Sequence, residues 1–331
     1  MLQFVLRRII IAIPVLIGVT FIIFTMMYFT EGDPTLLMLG EDATPEQHQE
    51  LRDRMGLDDP FLVQYGNYLF GILRGDLGTS FTTGLPVIDE ILPRIPITLR
   101  LAVLSTLLAI IIGIPAGIFS AVRQYSILDN IIMVFATMSL TIPNFWLALL
   151  LLLFFSVHLG WLPSFGLEGP LYYILPVLSI SMTSLAVFTR MTRSSMLEVI
   201  RQDYIRTAHS KGQSEMKIIF KHALKNALIP IITIIGLQFA VVLGGAVVNE
   251  TVFSIPGLGR LMVDAIRARN YPVVQGGVLV IAFMFVLLNL IVDLLYAFVD
   301  PRIKTQYQNA SKQKKKKKAL VADGKGGAVS G

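Results

Sequence analysis

The chain has 331 residues, 54% of them hydrophobic and 15% charged, and its net charge is +6. A soluble domain is about one quarter charged, so this composition excludes an ordinary soluble fold and points to an integral membrane protein, which apolar stretches of helix length make all-α. There is no cysteine, which excludes disulfides, thiol nucleophiles and cysteine metal sites.

A helical crossing needs roughly 20 apolar residues. Six stretches qualify: 9–29, 98–122, 130–157, 171–190, 227–249 and 274–299. The first follows Arg7 and Arg8, as a signal peptide would. Its apolar run is longer than a signal core and TEGDP follows it rather than a small-residue cleavage site, so it reads as a retained anchor. Residues 1–8 then form a short N-terminus, 9–304 a membrane domain, and 305–331 a disordered tail. That tail holds Lys312 and the run Lys314 to Lys318 and has no apolar pattern to build a core; it suits solvent or anionic lipid rather than nucleic acid.

The connection 30–97 is long enough to carry structure of its own. In PEQHQELRDRMG (45–56), Thr44 suits the N-cap, Pro45 the first helical position and Gly56 the end. FLVQYGNYLFGIL (61–73) reads as a helix whose Phe61, Tyr65, Tyr68 and Phe70 suit either the membrane face or ordinary packing. Pro14, Pro115, Pro143, Pro176 and Pro230 fall within the apolar stretches, and each is expected to kink or interrupt its helix.

Loop 30–97 holds twelve acidic residues against four arginines, whereas 190–226 holds eight Lys and Arg against three acids. Basic residues near crossings stay inside. With six crossings, both termini, the Arg123 loop and 190–226 fall in the cytoplasm, and 30–97 falls outside.

Segment 198–226 breaks into two helices. Ile200, Tyr204 and Ala208 share one face, and Gly212 suits a left-handed terminator. Ser214 can cap a second helix in which Met216, Ile219, Phe220 and Ala223 form an apolar stripe. Lys217, Lys221 and Lys225 line its other face. So short a helix needs a surface to rest on. The pattern alone leaves three: the lipid interface, the ends of the chain's own spans, or a groove on a partner protein.

The order Ala208, three residues, Gly212, then a helix leading to Pro230 resembles the EAA loop of ABC-importer permeases. DYIRTAHSKGQSEMKIIFKHALKNALIP resembles the dipeptide, oligopeptide and nickel class in particular. GDLGTSF (75–81) with PVIDEILPRIPITLRLA (86–102), NETVFSIPGLGRLMVDAIRARNYPVVQG (249–276) and DPRIK (300–304) are similar to that class elsewhere, so the resemblance covers 1–304. Arg206 and Thr207 stand where the general EAA pattern has Glu and Ala.

The resemblance implies a type I importer permease of six transmembrane helices in a prokaryotic plasma or inner membrane. Its coupling helix (Ala208, Lys211, Gly212, Ser214, Glu215, Met216, Lys217, Ile219, Phe220 and Lys221) would dock on an ATP-binding subunit. Glu250, Pro256, Gly257, Gly259 and Arg260 would lie at the outer mouth, where an extracellular substrate-binding protein delivers peptide; the acidic loop 30–97 is the other docking candidate. A second permease and two ATPase subunits complete the set, with ATP and Mg bound by the partners and no cofactor on this chain. Permeases of similar sequence also take nickel chelates, glutathione or oligosaccharides.

The residues agree with a subunit that hydrolyses nothing. There is no GxxxxGK[ST] cradle for phosphates, and His48, His158, His209 and His222 lack metal-ligand spacing. A secondary transporter needs ionisable groups deep in its spans. Arg100 lies near an outer end and can snorkel, which leaves Asp293, on one face with Asn289, as the acidic candidate.

Overall fold

A computed structural model of the chain describes residues 2–30, 32–40 and 42–299. The motif 300–304 and the lysine-rich tail lie outside the described residues, as does the side chain of Asp293. Among the described residues there are helices and no strand, only an isolated bridge between Thr79 and Pro86.

Five helical stretches are long and apolar enough to cross a membrane. Their main helices are α1 (Leu2–Tyr28), α6 (Ile95–Val122), α9 (Ile174–Ile200), α12 (Leu224–Val252) and α14 (Tyr271–Val299). The expected third span, 130–157, is not one straight rod. It is α7 (Ile127–Thr141) and α8 (Asn144–Leu151), the latter continued as a π-helix over Leu152–His158, and the two arms meet at 104°. The elbow falls at Pro143. A residue before proline is pushed out of helical geometry, and Ile142 is extended there (ψ 123°).

The other prolines do not interrupt their helices. Pro14, Pro115 and Pro230 lie inside α1, α6 and α12, and Pro176 sits in the first turn of α9, where its missing N–H is harmless.

At the centre, α6 packs against α9 along a nearly unobstructed backbone. A Cβ added at Gly117 would lie 2.6 Å from the Thr189 carbonyl oxygen, and one at Gly113 2.9 Å from that of Leu185. Without a hydrophobic gradient between helix and lipid, this close approach lets van der Waals attraction hold the pair.

Between α1 and α6, residues 44–73 form helices where the pattern predicts them. Thr44 caps α3 (Pro45–Met55) in a reciprocal capping box with Gln47, and Gly56 ends it in the left-handed region (φ +63°). Helix α4 (Phe61–Leu73) turns Phe61, Tyr65 and Tyr68 onto α1 rather than to the membrane face: Tyr28–Phe61, Phe21–Tyr65 and Phe24–Tyr68 ring centres lie 5.0, 5.3 and 5.6 Å apart. Phe70 stays exposed under the Arg74 guanidinium.

Arg52 ties the entry to α3 together, reaching Asp33 at 2.7 Å and Asp58 at 2.6 Å. The hydrogen bond from Arg52 holds Asp58 below the usual carboxylate range. Burial pushes Asp33 upward, but hydrogen bonds from Thr35 and Arg52 outweigh it and leave the group lowered.

Both carboxyls titrate lower folded than unfolded, so their contribution is present above an unfolded value of about 4 and disappears as pH falls below it. Amide exchange protection in 45–55 should fall between about pH 4 and pH 2, a step that Arg52→Gln removes. In the core, Gly117→Val should overpack the α6–α9 contact and lower stability by about 1–3 kcal/mol, read as a drop in the melting temperature of the detergent-solubilised protein.

Candidate functional site: a basic hinge and an outer latch

After α9 the chain turns and forms α10 (Asp203–Ser210), which ends at Gly212 with φ +69°. Gln213 N–H donates to the Ala208 carbonyl (3.3 Å) and Gly212 N–H to that of His209 (2.9 Å). This is the Schellman pattern, and it requires the left-handed residue the sequence supplies. Ser214 takes the N-cap position, but its hydroxyl makes no capping bond. The following helix is not separate from the span. It starts as α11 (Glu215–Lys217), widens to a π-helix over Ile218–Ala223, and runs directly into α12.

That widened turn corrects the predicted stripe. With bonds from i to i+5 the buried positions fall five apart and then four apart: Ile218, Ala223, Ala227 and Ile231, all at or below 2% exposure. Met216 (66% exposed) and Phe220 (51%) are rotated outward, and Ile219 is half-buried. On α10 the inward residues are Ile205 and Ala208, while Tyr204 is exposed and its hydroxyl accepts a bond from Asn226 Nδ2 at 2.8 Å.

Ala208 therefore roots the hinge instead of presenting to solvent. Ile205, Ala208, Ile218 and Ala223 form one cluster with Ile118 and Ala121 of α6, Met196 of α9 and Ala227 of α12. Lys211, Gly212, Ser214, Glu215, Lys217 and Lys221 are exposed, with Lys225 continuing the basic row. His209 and Glu215 approach to 3.4 Å across the turn, and His222 bonds Gln213 at 2.8 Å. Among the described residues no group of His, Asp or Glu is placed to hold a metal.

At the other end, Glu250 is not a surface residue of the outer turn. It is fully buried. Thr98 Oγ1 on α6 donates to its Oε1 (2.5 Å), and the Arg260 N–H in the first turn of α13 (Leu258–Arg267) donates to its Oε2 (3.0 Å). Thr98 also accepts from Leu258 N–H at 2.9 Å. One carboxyl thus joins a span to the amide end of α13.

Pro256 is exposed, and the glycines beside it give room for close packing. Gly257 is extended (φ −93°, ψ −179°), and a Cβ there would strike the Glu250 carboxyl at 2.3 Å. A Cβ at Gly259 would meet Val247 Cα at 2.4 Å. Arg260 Nη1 donates to the Ser254 carbonyl at 2.6 Å.

A second buried group, Asn270, accepts from Phe81 N–H (3.0 Å) and donates to the Ser80 and Thr82 hydroxyls (2.8 and 2.9 Å). The stretches 75–102 and 249–276 are therefore one physical unit. Asn289 bonds the Phe285 carbonyl at 2.9 Å, and Arg100 reaches Tyr173 Oη at 3.2 Å.

Residues 113–305 match the family described as binding-protein-dependent transport system inner membrane component, and residues 1–102 match the N-terminal region of such components. The chain is 45% identical to the dipeptide transport system permease protein DppB of Alkalihalophilus pseudofirmus, over 92% of this chain and 100% of that protein. To DppB of Escherichia coli it is 42% identical, over 92% and 99%. This chain belongs to that transport family. It is a multi-pass permease subunit, a part of a transport system and not an enzyme. Its fold is similar to that of the inward-facing MetNI methionine ABC transporter, with a TM-score of 0.53 at 19% identity over 64% of this chain and 97% of that one.

The permease also holds an ion pair that sequence reading missed. Asp129, 1% exposed at the start of α7, receives Arg193 of α9 as a two-pronged fork, Nε to Oδ1 at 2.8 Å and Nη2 to Oδ2 at 2.9 Å. Ser120 and the Tyr125 N–H complete the shell. The partners are 64 positions apart, each just beyond its expected span, and no local spacing links them. Removing one partner strands a buried charge. Arg193→Ala should destabilise the permease by about 3–5 kcal/mol, measured by thermal unfolding in detergent, and adding Asp129→Asn should recover part of the loss.

Proposed function

We propose that this permease imports short peptides, delivered by an external substrate-binding protein, and is driven by ATP hydrolysed on separate subunits. It pairs with a second, similar permease, and each seats its hinge in one of two ATP-binding subunits that hold the nucleotide and magnesium. The membrane is the plasma or inner membrane of a prokaryote, with both termini and the hinge 198–226 on the cytoplasmic side. The names of the DppB relatives support the peptide class, and the excess of basic residues in 190–226 supports the orientation.

One observation carries the docking role. Met216 and Phe220 stand exposed on a helix whose opposite face is rooted in the ends of α6, α9 and α12. Two large apolar side chains on a polar face fit a groove on a partner. The exposed lysines beside them set orientation and association rate more than affinity. A groove that tightens on nucleotide would move the hinge, and through it the span ends.

Phe220→Asp should abolish ATP-driven uptake of labelled dipeptide into proteoliposomes while insertion and folding persist. Gly212→Pro should do the same, since proline cannot adopt φ +69° and removes the bond to His209. Uptake at the normal rate by Phe220→Asp ends the docking role. Equal uptake of nickel and no uptake of dipeptide by the unaltered complex ends the peptide assignment.

A further inference from the structure

Between α7 and α9, where α9 runs into the hinge, lies a slot of about 640 Å³. Arg190, Arg193, Ser194, Glu198 and Arg201 line one side, and Met133 of α7 closes the other. Arg193 spends Nε and Nη2 on Asp129, which leaves Nη1 outside that fork. Among the described residues Arg190 and Arg201 pair with no carboxylate, Arg201 making only a 3.4 Å contact to Gln124. Three guanidinium groups thus face one lining carboxylate, Glu198.

The slot does not end in water on all sides. From Met133 a shallow apolar groove of about 400 Å³ follows α7 through Val134, Thr137 and Met138. Asn130 to Met138 spans roughly 12 Å of helix. The apolar run of α9 stops at Arg190 and that of α7 begins at 130, so the arginines stand at the edge of the hydrocarbon with the groove entering it.

Guanidinium forks match phosphate oxygens better than any other common acceptor. Basic pockets between membrane helices on the cytoplasmic side suit lipid headgroups. A ligand that satisfies both the slot and the groove carries an anionic phosphate at one end and an acyl chain at the other.

We infer that the slot holds the phosphate of an anionic phospholipid of the cytoplasmic leaflet, with an acyl chain lying along α7. The inference rests on the orientation proposed above. The lipid joins α7 to α9 beside the Asp129–Arg193 pair and adds a second bridge between the same two helices.

The test uses the assembled transport complex, purified through this chain into detergent and examined by native mass spectrometry after exposure to phosphatidylglycerol or phosphatidylcholine. The unaltered complex should retain phosphatidylglycerol in preference to phosphatidylcholine. Arg190→Ala with Arg201→Ala should cut that retention at least about tenfold, whereas Arg190→Lys with Arg201→Lys should keep most of it and so control for folding. Arg123→Ala, outside the slot, should change nothing.

Unchanged retention in the double alanine variant overturns the inference. Displacement of the lipid by excess inorganic phosphate overturns the lipid in favour of a free anion, and a cross-link from Ser194→Cys to the second permease overturns it in favour of a subunit interface. Orientation is read separately: the chain has no other cysteine, so Lys211→Cys labels with an impermeant maleimide only from the side it faces. Labelling from outside the cell sinks the orientation, whatever the lipid retention.

Discussion

The backbone runs without a break from Glu215 to Val252, and every other part of this permease is arranged around that continuity. A helix of two turns is marginal in water and would flex if joined to its span by a loop. Here the join is a π-helical turn, so the exposed tip at Met216 and Phe220 is an extension of a membrane rod. Ile205, Ala208, Ile218 and Ala223 then bind that rod sideways to the ends of α6 and α9. The tip is thus continuous with one span and packed against the ends of two more.

Polar groups follow from a second constraint. The bilayer offers no hydrogen bonds, so polar side chains in the interior gain by pairing within the protein, although the Ser105, Thr106 and Thr192 hydroxyls are buried without a partner. Ser179 with Asn249 (2.5 Å), Thr183 with Asn144 (2.9 Å), Thr98 with Glu250 and Asp129 with Arg193 each join separate helices. The Thr98 and Ser179 bonds sit toward one end of the bundle and the Asp129–Arg193 pair toward the other, with Thr183–Asn144 at the elbow of the bent span. Close backbone approach at Gly113 and Gly117 holds α6 to α9 beside them.

Much of this was legible where the signal is local. Thr44, Pro45 and Gly56 bound α3 because caps depend on neighbouring backbone alone, and Gly212 forced a left-handed turn for the same reason. Features set by distant partners were not legible. A 3.6-residue period mis-phased the hinge because nothing in the sequence announces a π turn. Pro143 broke its helix whereas Pro115 and Pro230 did not, since neighbouring helices decide whether freed carbonyls are satisfied. Glu250 was grouped with Pro256, Gly257 and Gly259 at one mouth of the bundle, and only the fold showed that it is buried and that Gly257 makes room for its carboxyl. The family itself was readable because its motifs are strings of residues and need no contact to be recognised.

The buried Glu250 carboxyl has an implication for its own end of the bundle. Since α6 and the amide end of α13 are both fastened to it, α13 has no hinge line of its own along that seam. A load on α13 bears on the shaft of the second span as a keystone bears on both halves of an arch.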